Sequence, residues 1–349
     1  MNVFVLGALA LTTVGGTGYA GSGTETWLTF DKELESLASV SAPSQDSGLQ
    51  FGAWARASYS TSSDIAVGGN DLGGFSIDNI RLNVNGTRGT WAFFASIEGS
   101  DDPGAGYFGN TGVGADLTIL DAMVSTNVTD QIKFSAGQFR HPFLGSALID
   151  ENHLLFLDRT INGEAWDSRD QGIMFSGSYD QLGWWISGLN GNDGTADEYA
   201  FTGRVAFNAL GTGAGQSHEG AYGAGAESNL TIAGAISDDG SFDNGQAFAI
   251  EAAFTQSALS GGFEMVDYDD DIGDATPWSA TVGYMFQPDV WEAAIRYEDF
   301  DDTADSNMIT LGLNRYIDGH NAKWGVNYST IDSDAGDADV IAAGMTVGI

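Results

Sequence analysis

FSIDNIRLNVNG (75–86), followed by TWAFFASIE (90–98), decides the fold of this chain. In the first stretch Ile80, Leu82 and Val84 alternate with Asn79, Arg81, Asn83 and Asn85. In the second, Trp91, Phe93, Ala95 and Ile97 alternate with Thr90, Ala92, Phe94, Ser96 and Glu98. Successive side chains of a strand point to opposite faces, so a period of two gives each stretch one apolar and one polar face. The pattern recurs outward from this pair. Tyr199, Phe201, Val205 and Phe207 alternate with Thr202, Arg204 and Asn208. Trp291, Ala293, Ile295 and Tyr297 alternate with Glu292, Arg296 and Glu298. Trp324, Val326 and Tyr328 alternate with Lys323, Asn327 and Ser329, and Ile341, Ala343, Met345, Val347 and Ile349 share a face. Sixteen such segments fit between residues 50 and 349.

The connections between them alternate in length. Gly86–Gly89, Thr129-Asp130, Asp180-Gln181, Pro288-Asp289 and Asp318-Gly319 are short. Between them come 61–74, 100–115, 140–170, 191–197, 237–245, 268–276, 300–306 and 331–338, which are longer and polar. Short turns at one end and long loops at the other mark an antiparallel transmembrane β-barrel, as does an even strand count. The Gly-rich stretch 209–223 breaks the rule, because it falls where a short turn is due. The expected fold is therefore all-β: a sixteen-stranded antiparallel transmembrane β-barrel over 49–349, with a short N-terminal helical/linker segment. Residues 1–20 read as a secretory signal with cleavage after Ala20: an apolar run from Val3 to Val14, then small residues. In 21–48, Leu28, Leu34 and Leu37 recur at roughly helical spacing, which suggests a periplasmic helix and linker.

Composition narrows the function classes. There is no Cys, so disulfides and thiolate metal sites are excluded. Gly is abundant at 49 residues and Pro scarce at 5, which suits many strands and turns. Lys and Arg number 12 against 48 Asp and Glu, a formal net charge of −36. A polyanion of this kind does not bind nucleic acid, which requires phosphates to be neutralised. No apolar run reaches the roughly 18 residues of a membrane helix. No nucleophile elbow, P-loop or dinucleotide fingerprint occurs, so the chain is not expected to be an enzyme or to carry a cofactor. The acidic runs DYDDDIGD (267–274) and DSDAGDAD (332–339) lack EF-hand spacing and read as a solvated outer rim. His141, His153, His218 and His320 are scattered, so no metal site is expected.

The basic residues sit informatively. Arg56, Arg81, Lys133, Arg204, Arg296 and Lys323 fall on the polar faces of segments, and Arg140, Arg159 and Arg169 bracket the longest connection. A charge on a lipid face costs ~2–4 kcal/mol at the bilayer midplane, so these nine are candidate channel-lining, anion-guiding residues. The alternative is that they pair with inward acids such as Glu98, Asp121, Glu251, Glu264, Glu292 and Glu298. Tyr59, Tyr179, Trp184, Trp278, Phe286, Trp291, Tyr316, Trp324 and Tyr328 are candidates for interfacial girdles. The apolar run Leu154–Leu157 inside 140–170 has no place in an exposed loop and could pack against an inner wall.

The stretch from about 75 to 178 resembles the phosphate-selective porin O and P family. The motifs are IRLNVNGTRGTWAFFASIEG (80–99), LDAMVSTNVTDQIKFSAGQFRHPF (120–143), LLFLDRT (154–160) and SRDQGIMFSG (168–177). The resemblance implies a sixteen-stranded outer-membrane porin, a homotrimer, with loop 140–170 folded into the lumen. It implies passive diffusion of small hydrophilic solutes, with anions such as phosphate preferred. Such porins are rich in lumenal Lys and Arg, whereas this chain holds 3 Lys and 9 Arg and ends in Ile349. A plugged structural or adhesive outer-membrane barrel, and a soluble calcium-dependent β-sandwich, are the alternatives.

Overall fold

The structure is a computed structural model that describes residues 47–64, 70–101, 115–191, 198–215, 217–240, 245–269 and 274–349. The signal peptide expected over 1–20 lies outside the described residues, as does the helical/linker segment up to residue 46.

Sixteen strands follow in order: β1 Ser47–Asp64, β2 Asn70–Arg88, β3 Trp91–Asp101, β4 Ala115–Asn127, β5 Ile132–Arg140, β6 Arg169–Tyr179, β7 Leu182–Leu189 and β8 Ala200–Leu210. Then come β9 Asn229–Asp239, β10 Gln246–Gln256, β11 Leu259–Asp269, β12 Trp278–Gln287, β13 Trp291–Asp299, β14 Asn307–Asp318, β15 Ala322–Asp332 and β16 Ala338–Gly348. Each pairs with its neighbours in sequence, and β1 pairs antiparallel with β16, so the sheet closes on itself. Closure runs from Trp54 opposite Gly348 to Ser63 opposite Asp339. A closed barrel leaves no unpaired edge. Several reversals on the end that carries the termini are short, with Asp180 (φ 55°), Ser257 (φ 53°) and Asp289 (φ 57°) in the left-handed conformation that tight hairpins use.

The alternation read from sequence becomes two faces. In β8, Phe201, Val205 and Phe207 are exposed on the outside, while Thr202, Arg204 and Ala206 are buried within. In β14, Ile309, Leu311 and Leu313 face out, while Thr310 and Asn314 face in. Tyr316 departs from the girdle expectation. Parity puts it on the inner face, where it is buried and its hydroxyl donates to Glu292 Oε2 at 2.7 Å. Arg315 takes the outer position instead, its guanidinium lying over the Trp291 ring at 5.7 Å from the centroid.

The long connection between β8 and β9 is confirmed in place of a short turn, and β9 begins at Asn229. Gly211, Gly213, Gly215, Gly220 and Gly223 all have positive φ, so the chain here turns repeatedly and cannot extend as a strand.

Gly137 and Gln138, within the motif 120–143, each have a structural task. A register shift between Ser96 and Ile97 leaves Leu120 of β4 unmatched. The Gln138 side-chain amide donates to the freed carbonyls of Ile119 and Leu120, at 2.7 and 2.8 Å. Gly137, at φ +131°, lies so close to β4 that a Cβ would sit 2.2 Å from the Ala122 carbonyl oxygen.

Candidate functional site

The lumen is occupied by the connection between β5 and β6. Residues 141–168 form two short helices, α1 (Gly145–Leu148) and α2 (Ile161–Ala165), separated by a 3-10 turn at Glu151–His153. Its first part docks through apolar contact. Phe143, Leu144 and Ala147 are fully buried against Ala235, Ala247, Ala249 and Val266 of β9, β10 and β11. The three alanines keep that wall shallow enough to admit the loop. Phe143 stacks on Trp166 with ring centroids 3.7 Å apart, and the Trp166 indole donates to the Tyr268 hydroxyl at 2.8 Å. The run Leu154–Leu157 docks farther round the wall, on β14 and β16. A Cβ on Gly312 would sit 2.9 Å from Phe156, and one on Gly344 2.7 Å from Leu157, so wall glycines form the notches that hold these side chains.

Polar side chains of the wall then grip the loop's backbone. Arg56 donates to the Leu157 carbonyl at 2.8 Å, Arg296 to Asp158 at 3.0 Å, and Arg204 to Phe143 at 2.8 Å. Asn314 donates to the Leu155 carbonyl at 2.6 Å, and Lys323 to Leu154 at 2.5 Å. In the other direction, the amides of Gly145 and Ile161 each donate at 2.7 Å, to Glu251 and Glu298. Buried loop backbone would otherwise be left without partners, at about 1–3 kcal/mol for each group.

Glu151 is the hub of the ionic fastening. Its carboxylate lies 2.7 Å from Arg81, 3.2 Å from Arg140 and 3.0 Å from Arg159. Asp167 bridges Arg140, Arg159 and Arg169 at 2.8, 3.1 and 2.8 Å. Arg81 also pairs with Glu98 at 2.5 Å. Burial alone would push the Glu151 carboxyl up, but Arg81, Arg140 and Arg159 outweigh it and hold it well below the usual carboxylate range. Burial likewise opposes the Arg159 charge, and Glu151 and Asp167 more than compensate, so that guanidinium is held more firmly charged than usual.

A second segment enters the barrel from the end that carries the termini. Within residues 211–228, the Ala214 amide donates to Thr231 Oγ1 at 2.8 Å and the Ala221 amide to Glu292 at 2.7 Å. It meets the first loop directly: the Glu219 amide donates to the His153 carbonyl at 3.1 Å, and the Leu155 amide to the Glu219 carboxylate at 2.8 Å. Three histidines gather at this seam. The His320 ring lies 4.9 Å from His153 and 5.2 Å from His218, with Tyr222 and Tyr316 against it. Burial depresses the pKa of all three; for His320, to which Lys323 and the other two histidines add, it falls to about 2. No group of three or more potential ligands among the described residues is arranged to hold a metal ion. A cavity of about 230 Å³ remains beside the seam, lined by residues that include Thr160, Arg204, Glu219, Glu251 and Glu264.

The family model "Phosphate-selective porin O and P" matches residues 58–261. The chain belongs to this family. No curated protein sequence matches it. Among solved structures, the porin is similar to a double mutant of the Rh. blastica porin, with a TM-score of 0.58 and 17% identity over 86% of this chain and 100% of that one. A loop-deletion mutant of OmpT, an outer membrane protein of Vibrio cholerae, gives 0.58 and 13% over 87% and 100%. An anion-selective porin from Comamonas acidovorans gives 0.57 and 14% over 87% and 100%. At these identities the likeness is one of fold.

Within the porin, eight of the nine basic residues singled out from sequence come together around the inward loop. Arg56, Arg81, Arg140, Arg159, Arg204, Arg296 and Lys323 are buried, and the Arg169 side chain is nearly so. Each arginine of this set lies against a carboxylate; Glu98, Asp121, Glu251 and Glu298 are among the inward acids named from sequence, whereas Asp78, Asp150, Glu151 and Asp167 were not, and among the described residues Glu264 and Glu292 pair with none of these arginines. Arg56 meets Asp78 at 3.4 Å, Arg296 meets Glu298 at 2.7 Å, and Arg204 pairs with Glu251. Lys133 stands apart, exposed and one residue into β5. Sequence reading missed Glu151 and Asp167, whose loop positions carry no periodicity. It also missed the histidine seam, whose members lie on three distant segments.

Proposed function

We propose that this porin spans the outer membrane and passes small hydrophilic solutes by passive diffusion. One observation carries the reading: an apolar outer face encloses a charged and polar lumen narrowed by the chain's own loop. Ile80, Leu82, Phe201, Val205, Ile232, Ile236 and Leu311 are all exposed on the outside. Water would penalise such a face, whereas lipid accepts it. Tyr59, Phe286 and Tyr328 on the same face suit the membrane–water boundary. Residues 1–20 act as an export signal and 21–48 as a periplasmic segment ahead of the barrel, on the strength of their sequence patterns. Family membership favours a homotrimer.

The role of the basic residues is mechanical before it is electrostatic. Arg56, Arg81, Arg140, Arg159, Arg169, Arg204, Arg296 and Lys323 set where the loop lies, and so how wide the passage is. Lys133 is the member of the nine whose charge stays accessible to solutes. Planar-bilayer recording of the purified protein tests the reading. Discrete conductance steps are expected, and their absence from correctly folded, heat-modifiable protein refutes it.

A further inference from the structure

We propose that the β8–β9 connection is a second constriction of this porin, limiting solute size from the end that carries the termini, with Gly220, Ala221 and Tyr222 at its tip. The inference rests on the porin reading and concerns the path a solute takes once past the inward loop.

The connection is far longer than joining its strands requires. β8 and β9 are already paired up to Leu210 opposite Leu230, a point where a hairpin of about two residues suffices. The chain instead runs along the inner wall. At Gly215 (φ +66°) a Cβ would sit 2.5 Å from the Ala253 side chain of β10. At Gly220 (φ +86°) one would sit 2.8 Å from the Glu292 carboxylate of β13. Backbone this close to the wall, in the left-handed conformation, calls for glycine at both points. The Tyr222 ring then lies against Tyr316 of β14, with centroids 4.6 Å apart. It also reaches the β14–β15 turn, where a Cβ on Gly319 would meet its hydroxyl at 3.0 Å. The return leg passes the β10–β11 reversal, where the Ser257 amide donates to the Gly225 carbonyl at 2.9 Å. The connection thus crosses the terminal end of the barrel from β9 to β14 and comes back.

It is fastened as firmly as the inward loop. Glu292, fully buried, accepts from the Ala221 amide and the Tyr316 hydroxyl, each at 2.7 Å. Ala221 is buried against Met285 and Tyr316. The Thr212 amide donates to Asn229 at 3.0 Å and the Ala214 amide to Thr231 at 2.8 Å. Enclosed backbone must find such partners, and here the wall supplies them. The two inward segments also touch, through the Glu219 amide on the His153 carbonyl and the Leu155 amide on the Glu219 carboxylate. The 230 Å³ cavity is bounded by both of them, with Gly145 and Thr160 from the loop and Ala214 and Gly220 from the connection. A solute that clears the loop on this side of the barrel therefore meets the connection next. Resistances in series add, so both segments set the conductance.

The test compares unitary conductance in planar bilayers between the wild type and a variant whose residues 211–229 are replaced by Asn-Gly. The shortened channel is expected to conduct about twofold more or better. Neutral polyethylene glycols too large to lower the wild-type conductance should lower that of the variant. G215V/G220V, which forces the connection off the wall and leaves every strand intact, should shift both readouts the same way by a smaller amount. It decides the matter if the shortened chain does not fold. Conductance and polymer cut-off equal to wild type in the variants that fold overturn the proposal. Absence of conductance from the wild type and both variants would instead refute the porin reading itself.

Discussion

Replacing Glu151 by glutamine should release the inward loop. The hub around it contains four guanidiniums (Arg81, Arg140, Arg159, Arg169) and five carboxylates (Glu98, Asp121, Asp150, Glu151, Asp167), so E151Q takes the balance from +4/−5 to +4/−4. The variant is formally neutral where the wild type carries one excess negative charge, but three contacts of 2.7, 3.2 and 3.0 Å lose their charged acceptor. Breaking a buried ion pair costs about 3–5 kcal/mol. Asp150, 3.1 Å from Arg81 and 3.3 Å from Arg140, takes up part of the loss. A docking penalty of about 3 kcal/mol is therefore expected, roughly a hundredfold in the docked-to-free ratio. The chain has no cysteine, so a single thiol is a clean reporter. Ala147, on the loop itself and fully buried against the wall, is the site: A147C should react with a water-soluble maleimide about a hundredfold faster in the E151Q background, since labelling follows the free population. Acid should mimic the substitution. The folded-state carboxyl lies below its unfolded value, so its stabilisation is present above about pH 4.3 and is lost as pH falls further, through the folded value. E151Q should show no such dependence. Equal labelling rates in the two backgrounds would refute the hub's role in docking.

Two further outcomes follow from the faces and the seam. V205R puts a charge on the outer face of β8 and should destabilise the barrel in lipid by ~2–4 kcal/mol, read as a lower urea midpoint of folding into vesicles; an unchanged midpoint would place Val205 away from the hydrocarbon. The seam should loosen in acid. His153, His218 and His320 have folded pKa values below the unfolded value of about 6.5, so the unfolded segment binds more protons, and docking is strongest above that pH and weakens below it. Labelling of A221C should therefore accelerate from pH 7.5 to pH 5 in a way that H153Q/H218Q flattens, and a pH-independent rate would remove the histidines from the docking balance.

The barrel was legible because a strand with lipid on one side and water on the other must alternate. Phe201, Val205 and Phe207 against Thr202 and Arg204 could not be arranged otherwise. Tyr316 was legible too, but only by counting: Leu311 and Leu313 face out, so Arg315 does and Tyr316 cannot, whatever their residue types suggest. An aromatic ring was a poorer guide than parity because an arginine stem can lie along the outer surface over Trp291. The loop's apolar run hinted at a wall to dock on, since Leu154 and Leu155 would be costly in water. What could not be read was the partner of each charge. Glu151 lies on an irregular loop, and its three arginines come from β2, β5 and the loop itself. Distances across a lumen leave no trace in spacing along a chain.

Besides the ionic hub, the wall holds its loop at five points by the peptide backbone. Arg56, Arg204, Arg296, Asn314 and Lys323 all bind carbonyl oxygens, which every residue type supplies. The loop's path is thus insulated from its own sequence at those points. Mutations at exposed positions such as Asp158 and Glu164 change the loop's surface without touching the groups that fix where it lies. The surface that the loop turns to the water is thus free to vary one residue at a time, while the barrel and these fastenings stay as they are.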